Sequence, residues 1–95
     1  MLFAILCDDK PGMQETRAAV RTDHLAHLNA LGERLKFAGP FLGPDEKPVG
    51  SLIVVDTGSE GEARAIAEAD PYAKAEIFES VTIRRWNWVI NNPEG

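Results

Sequence analysis

Ninety-five residues, 44% hydrophobic and 26% charged, make a single domain over 1–95 with no room for a second core. Ten basic residues against 15 acidic ones give a formal net charge of −5, so no long-range field recommends a nucleic acid or an anionic membrane as partner. The single Cys7 permits no internal disulfide. No run approaches the ~20 apolar residues of a membrane span. The opening MLFAILCDDK lacks the basic lead and apolar length of a signal peptide, so a cytoplasmic protein is expected.

In chain order, LFAIL (2–6) is a short apolar run stopped by Asp8, Asp9, Pro11 and Gly12, which reads as a strand and a turn. A helical pattern follows from about Met13 to Leu35. KFAGPFLG (36–43) is strand-like, and Pro40 marks it as kinked or at a sheet edge. PDEKP (44–48) is a turn cluster, and GSLIVVD (50–56) is the most strand-like stretch of the chain. Ser59 and Glu62 form a capping-box pair that opens a second helix through Ala63, Ile66 and Ala67. Pro71 should end that helix near Asp70, and residues 77–90, IFESVTIRRWNWVI, should form a long final strand.

The order β-α-β-β-α-β predicts an α+β fold of the ferredoxin-like kind, a four-stranded antiparallel sheet with two helices on one face. A sheet covered on one side should alternate apolar and polar residues. This one does not. Leu2, Ala4 and Leu6 alternate with Phe3, Ile5 and Cys7, and Ile53 and Val55 with Leu52 and Val54. On the last strand Val81, Ile83 and Val89 alternate with Trp86, Trp88 and Ile90. Two helices cover one face only. The second face is therefore expected to stack against a second copy as a homodimer, with Trp86 and Trp88 packing that contact.

The first helix carries a polar intruder. Plotted at 100° per residue, Val20, Leu28, Leu31 and Leu35 fall within about 40° of His24, which stands at the centre of the apolar stripe. On the second helix Ala63, Ile66, Ala67 and Asp70 follow i, i+3, i+4, i+7, so Asp70 ends that stripe. A buried imidazole and a buried carboxylate are each costly alone, and a His24–Asp70 hydrogen bond would satisfy both. In such a pair the aspartate fixes the tautomer and leaves the other ring nitrogen free as general base or acid. The spacing also accommodates a plainer reading, in which His24 is a satisfied core histidine and Asp70 caps the turn before Pro71.

Other candidates are quickly bounded. His27 lies about 60° from His24 on the wheel and reads as a flank residue, and no further His or Cys completes a metal set. No GxSxG elbow supports a serine hydrolase, and GSEG (58–61) lacks the lysine of a phosphate loop. Asp8 and Asp9 beside Cys7 should raise its pKa, which suits a structural thiol.

Arg21, His24, Leu25 and Leu28 (RxxHLxxL), an AGP turn at Ala38, Gly39 and Pro40, and ADPY at Ala69–Tyr72 before the final strand resemble the YCII-related family. The resemblance covers nearly the whole chain. It implies the dimeric α+β barrel fold and a His–Asp pair in a pocket, carried here by His24 and Asp70, with Arg21 and Tyr72 at the motif positions beside them. The family includes dehydrochlorinase-like members acting on chlorinated aromatic or lactone compounds. Arg21 could bind a carboxylate or phenolate or be a solvated surface arginine; Tyr72 could orient a substrate or lock the turn after Pro71; Ser51 could line the pocket. The reading that results is a cofactor-free, metal-free lyase or isomerase. It would use His24 and Asp70 on a small anionic cyclic or aromatic metabolite, with Arg21, Tyr72 and Ser51 binding that substrate. The alternative is a non-catalytic small-molecule binder or accessory protein using the same pocket.

Overall fold

The structure, a computed structural model, describes residues 1–94. Its elements are β1 (Leu2–Asp9), α1 (Gln14–Asn29), a 3-10 turn (Gly32–Arg34), β2 (Leu35–Leu42), β3 (Pro48–Asp56), α2 (Glu60–Ala69), α3 (Pro71–Lys74) and β4 (Phe78–Trp86). The four strands form one sheet in the order β2-β3-β1-β4, antiparallel throughout. This is the ferredoxin-like α+β plait.

Two boundaries differ from the sequence pattern. The first helix stops at Asn29, six residues before Leu35. The Leu31 N–H bonds back to Leu28 O at 3.1 Å, and Gly32 sits at φ 59°, a left-handed conformation that ends helices. Leu31 stays buried after the helix, and Leu35 packs against the core as the first residue of β2. The apolar spacing continues across the helix end because both segments border the same core. The last strand ends at Trp86, not at residue 90, because Trp86 already pairs with Leu2 at the start of β1. Beyond it no partner strand remains.

The Ser59 cap forms as expected, with the return bond of Glu62 displaced by one residue to Gly58. Ser59 Oγ accepts the Glu62 N–H at 3.2 Å, and the Glu62 carboxylate reaches back to the Gly58 N–H at 2.7 Å. Pro40 lies in β2, the edge strand. Gly50 is required where it stands: a Cβ there would lie 2.4 Å from Cys7 O, forcing β3 away from β1.

The core lies between the sheet and the helices. Phe3, Ile5, Cys7, Ile53 and Val55 meet Leu28 and Leu31 from the first helical segment and Ala63, Ile66 and Ala67 from α2. Ile5 and Val55 are wholly buried, each removal from water contributing about 1.5–3 kcal/mol. On the opposite face, Ala4 and Val54 are also buried, although no helix lies there. The chain covers this part of the face itself. Phe37 on one edge strand and Trp86 on the other meet with ring centroids 5.6 Å apart, and Trp88 completes the cluster 5.0 Å from Phe37. A Lys36–Glu94 ion pair of 2.8 Å ties the C-terminal segment to β2. Leu2, Leu6 and Leu52 remain half-buried around this cover, and Val89 and Ile90 are about three-quarters exposed at 75% and 76%. Among the described residues no helix is long and apolar enough to cross a membrane.

Candidate active site

His24 and Asp70 come together. His24 Nδ1 stands 2.8 Å from Asp70 Oδ1 and 3.0 Å from Oδ2, and both residues are buried. The aspartate is placed by its position between two helices: it closes α2 and caps α3, where its Oδ1 also accepts the Tyr72 N–H at 2.9 Å. Pro71 at the first position of α3 makes that junction rigid. A carboxylate can only accept, so Nδ1 carries the proton and donates it, which fixes the neutral imidazole as the tautomer with a lone pair on Nε2. Nε2 has no protein partner among the described residues and is not sealed from solvent. His24 stands on the wall of a cavity.

Tyr72 locks the turn after Pro71 through its backbone bond to Asp70, and its ring also packs on His24 at a centroid distance of 3.9 Å, 7° from parallel. Burial pushes the phenol pKa up, against the pull of the Arg17 and Arg21 guanidinium groups, so the hydroxyl stays protonated as a hydrogen-bond donor.

Arg17 is a cavity residue that the sequence pattern did not single out. It is 7% exposed, one helical face with His24, and held on every side. Its Nε donates to Asp9 Oδ2 at 2.5 Å, and its Nη2 donates to Gly50 O at 2.8 Å and to Ser51 Oγ at 2.7 Å. Its guanidinium lies 4.6 Å from the centre of the Tyr72 ring. The signal was present as spacing: seven residues before His24 is about 20° away on the helical wheel, on the buried stripe itself. An arginine on such a stripe, with an aspartate closing the preceding strand, reads as a buried pair only once the fold brings Asp9 beside it.

These side chains line a cavity of about 480 Å³ between α1 and the β2–β3 hairpin, the size of a small-molecule site. Arg17, Arg21 and His24 come from α1, Ser51 from β3 and Tyr72 from α3. The AGP segment, expected as a turn, is part of strand β2 and presents Pro40 to the same space. Arg21 is exposed at the cavity wall, and Ser51 is buried there with its hydroxyl on Arg17. All five residues proposed from sequence therefore meet at one place, Asp70 from behind His24. His27 lies outside it and donates Nε2–H to Ile66 O at 3.0 Å, a structural bond between α1 and α2. Cys7 is a core residue whose thiol is pushed up to about 12, chiefly by burial and then by Asp70 and Asp9. No group of three or more His, Cys, Asp or Glu suited to a metal ion occurs among the described residues.

Residues 1–87 match the YCII-related domain. The chain belongs to the YCII-related family. Protein YciI of Escherichia coli is 36% identical over 98 residues, spanning 95% of this chain and all of that protein. A benzaldehyde-derivative biosynthesis cluster protein C of Emericella nidulans is 39% identical over 69 residues, covering 63% of this chain and 70% of its own. Among solved structures, the 5-chloro-2-hydroxyhydroquinone dehydrochlorinase TftG of Burkholderia phenoliruptrix, in complex with 2,5-dihydroxybenzoquinone, superposes with a TM-score of 0.87. It is 32% identical, and the match covers 97% of this YCII-related chain and 99% of TftG.

Proposed function

We propose that the cavity is the active site of an enzyme that transfers a proton on a small, oxygenated, anionic ring compound, with His24 as general base and Asp70 as its orienting partner. One observation carries this reading: the free Nε2 of an aspartate-held histidine opens on a cavity whose formally charged wall residues, Arg17 and Arg21, are both cations. In a chain of net charge −5 that wall favours an anion over a neutral compound. Arg21, exposed and at the wall, attracts the anion, and the Tyr72 and Ser51 hydroxyls supply donors that orient it.

The likeness to TftG supports a chlorinated hydroxyhydroquinone as the substrate class. Such a compound in its diketo tautomer, with the CHCl carbon beside a ring CH2, loses a proton of that CH2 to His24 Nε2 while the adjacent carbon–chlorine bond breaks towards chloride. The products are the hydroxyquinone, chloride and an imidazolium stabilised by Asp70. The electrons of the broken C–H bond form the new double bond and those of the C–Cl bond leave with chloride, so the step needs no external oxidant. The imidazolium then returns its proton to solvent.

The test is chloride release from 5-chloro-2-hydroxyhydroquinone by the purified protein, with binding of 2,5-dihydroxybenzoquinone followed by calorimetry. Release above the buffer rate, abolished in His24→Gln, is the expected result. Binding without release or any other proton transfer would make the cavity a binding site only. The remaining apolar sheet face, edged by Val89, Ile90, Phe41 and Leu42, is read as the contact of a cytoplasmic homodimer. Sedimentation equilibrium at micromolar concentration should return twice 10.4 kDa; the monomer mass alone would remove that part of the reading.

A further inference from the structure

We infer that Arg17 and Ser51 form a preassembled oxyanion site at the β3 side of the cavity, distinct from the His24 base, which selects the ionised form of an acidic ring hydroxyl. The inference rests on the reading of the cavity as a ligand site, but not on His24 being a catalyst.

A guanidinium has five N–H donors, and the protein uses those of Arg17 unevenly. Nε donates to Asp9 Oδ2, and Nη2 donates to Gly50 O and Ser51 Oγ with a longer 3.5 Å contact to Asp9 Oδ1. Nη1 carries two N–H groups that no protein atom accepts among the described residues, and it is not sealed from the cavity that Arg17 lines. Ser51 Oγ already accepts from Arg17, so its own O–H is free to donate, and no acceptor for it exists in the described structure. Two donors from separate elements are thus left over at one corner of a cavity, each locked in direction by buried bonds.

The same locking explains why the corner suits an oxyanion and not a neutral ether or ketone. Asp9 holds Arg17 from the side away from the cavity wall and is not itself a wall residue, and neither is Asp70. The ligand therefore meets donors and positive charge with no carboxylate in direct competition. Donors fixed before the ligand arrives favour the charged oxygen, because no reorganisation is needed when the charge is placed there. Gly50 belongs to the device: only a residue without Cβ lets β3 approach Cys7 closely enough to present its carbonyl to Nη2.

The experiment uses 4-nitrophenol, whose phenolate is coloured, and 4-nitroanisole, its neutral methyl ether, with the purified full chain. Wild type should bind the phenolate at least about tenfold more tightly than the ether, and bound nitrophenol should titrate at lower pH than free nitrophenol, as a tenfold preference for the anion requires. Ser51→Ala should lose about five- to tenfold of the phenolate affinity, the effect of one charge-assisted bond, while ether binding stays unchanged. Arg17→Met alone strands Asp9 and risks unfolding, so it is paired with Asp9→Asn; that double variant should bind phenolate and ether alike. Equal binding of phenolate and ether by wild type, no binding of phenolate, or a Ser51→Ala affinity equal to wild type would each overturn the inference. His24→Gln separates the two readings: it should abolish proton transfer and leave the phenolate preference intact.

Discussion

The two faces of the sheet break the rules of burial in opposite ways. Under the helices, where an all-apolar core would be simplest, the buried polar side chains include Arg17, His24 and Asp70 at 7%, 8% and 1% exposure. Each is held by two or more hydrogen bonds or a bond and a stacked ring. On the far face the residues are apolar and are covered by a short C-terminal segment that leaves Val89 and Ile90 in water. Buried ion pairs are often no better for stability than apolar residues of the same shape, so their retention on one face points to use. Exposed aliphatic side chains on the other point to a partner.

The largest effect expected on the helix side is from Arg17→Met. It leaves Asp9, whose side chain is 5% exposed, as an unpaired buried carboxylate, which should cost about 3–5 kcal/mol in urea unfolding. Adding Asp9→Asn should return most of that loss; no return would mean that packing, not charge, holds the corner. Asp70→Ala removes the cap of α3 and the partner of His24 together and should cost about 2–4 kcal/mol.

On the far face, Trp88→Ala should cost about 1–3 kcal/mol, less than a fully buried tryptophan, because the residue is only half-buried against Phe37 and Trp86. It should also weaken the proposed dimer, which a change at Arg17 should not. If Trp88→Ala leaves both stability and sedimentation unchanged, the C-terminal segment does not cover the far face.

The smallest effect is a pH dependence from the core thiol. The folded-state pKa of Cys7 lies at about 12 against 9.0 for the free group, so above about pH 9 the unfolded chain releases a proton that the folded chain keeps. Stability should be unaffected by this group below pH 9 and fall progressively as pH rises towards 12. Tyr72, also raised, acts in the same direction. Urea midpoints at pH 8 and pH 10.5 should differ less in Cys7→Ala than in wild type, and iodoacetamide should modify Cys7 only on unfolding.

Much of this was legible because it is written as periodicity. The strand–helix order, the cap at Ser59 and the inward direction of His24 and Asp70 follow from spacing alone. What spacing misjudged were ends: Leu31 and Leu35 keep the helical rhythm after Gly32 has ended the helix, and the alternation of Val89 and Ile90 outlasts the partner strand. The self-cover of the far face was hidden because Phe37 and Trp86 lie on opposite edge strands, and nothing in the sequence reports their distance. Arg17 lies on the right stripe, but its partner Asp9 and its acceptors on β3 meet it only in the folded chain.

The central claim is that the His24–Asp70 pair is kept for chemistry and not for the fold. It is tested most directly by one paired measurement on the double variant His24→Leu with Asp70→Asn: melting temperature and chloride release in the same preparation. A leucine fits the apolar stripe, and an asparagine still accepts the Tyr72 N–H, so the double variant should melt within a few degrees of wild type or above it. The account predicts that this folded protein releases chloride no faster than buffer. A double variant that melts like wild type and turns over like wild type would contradict it.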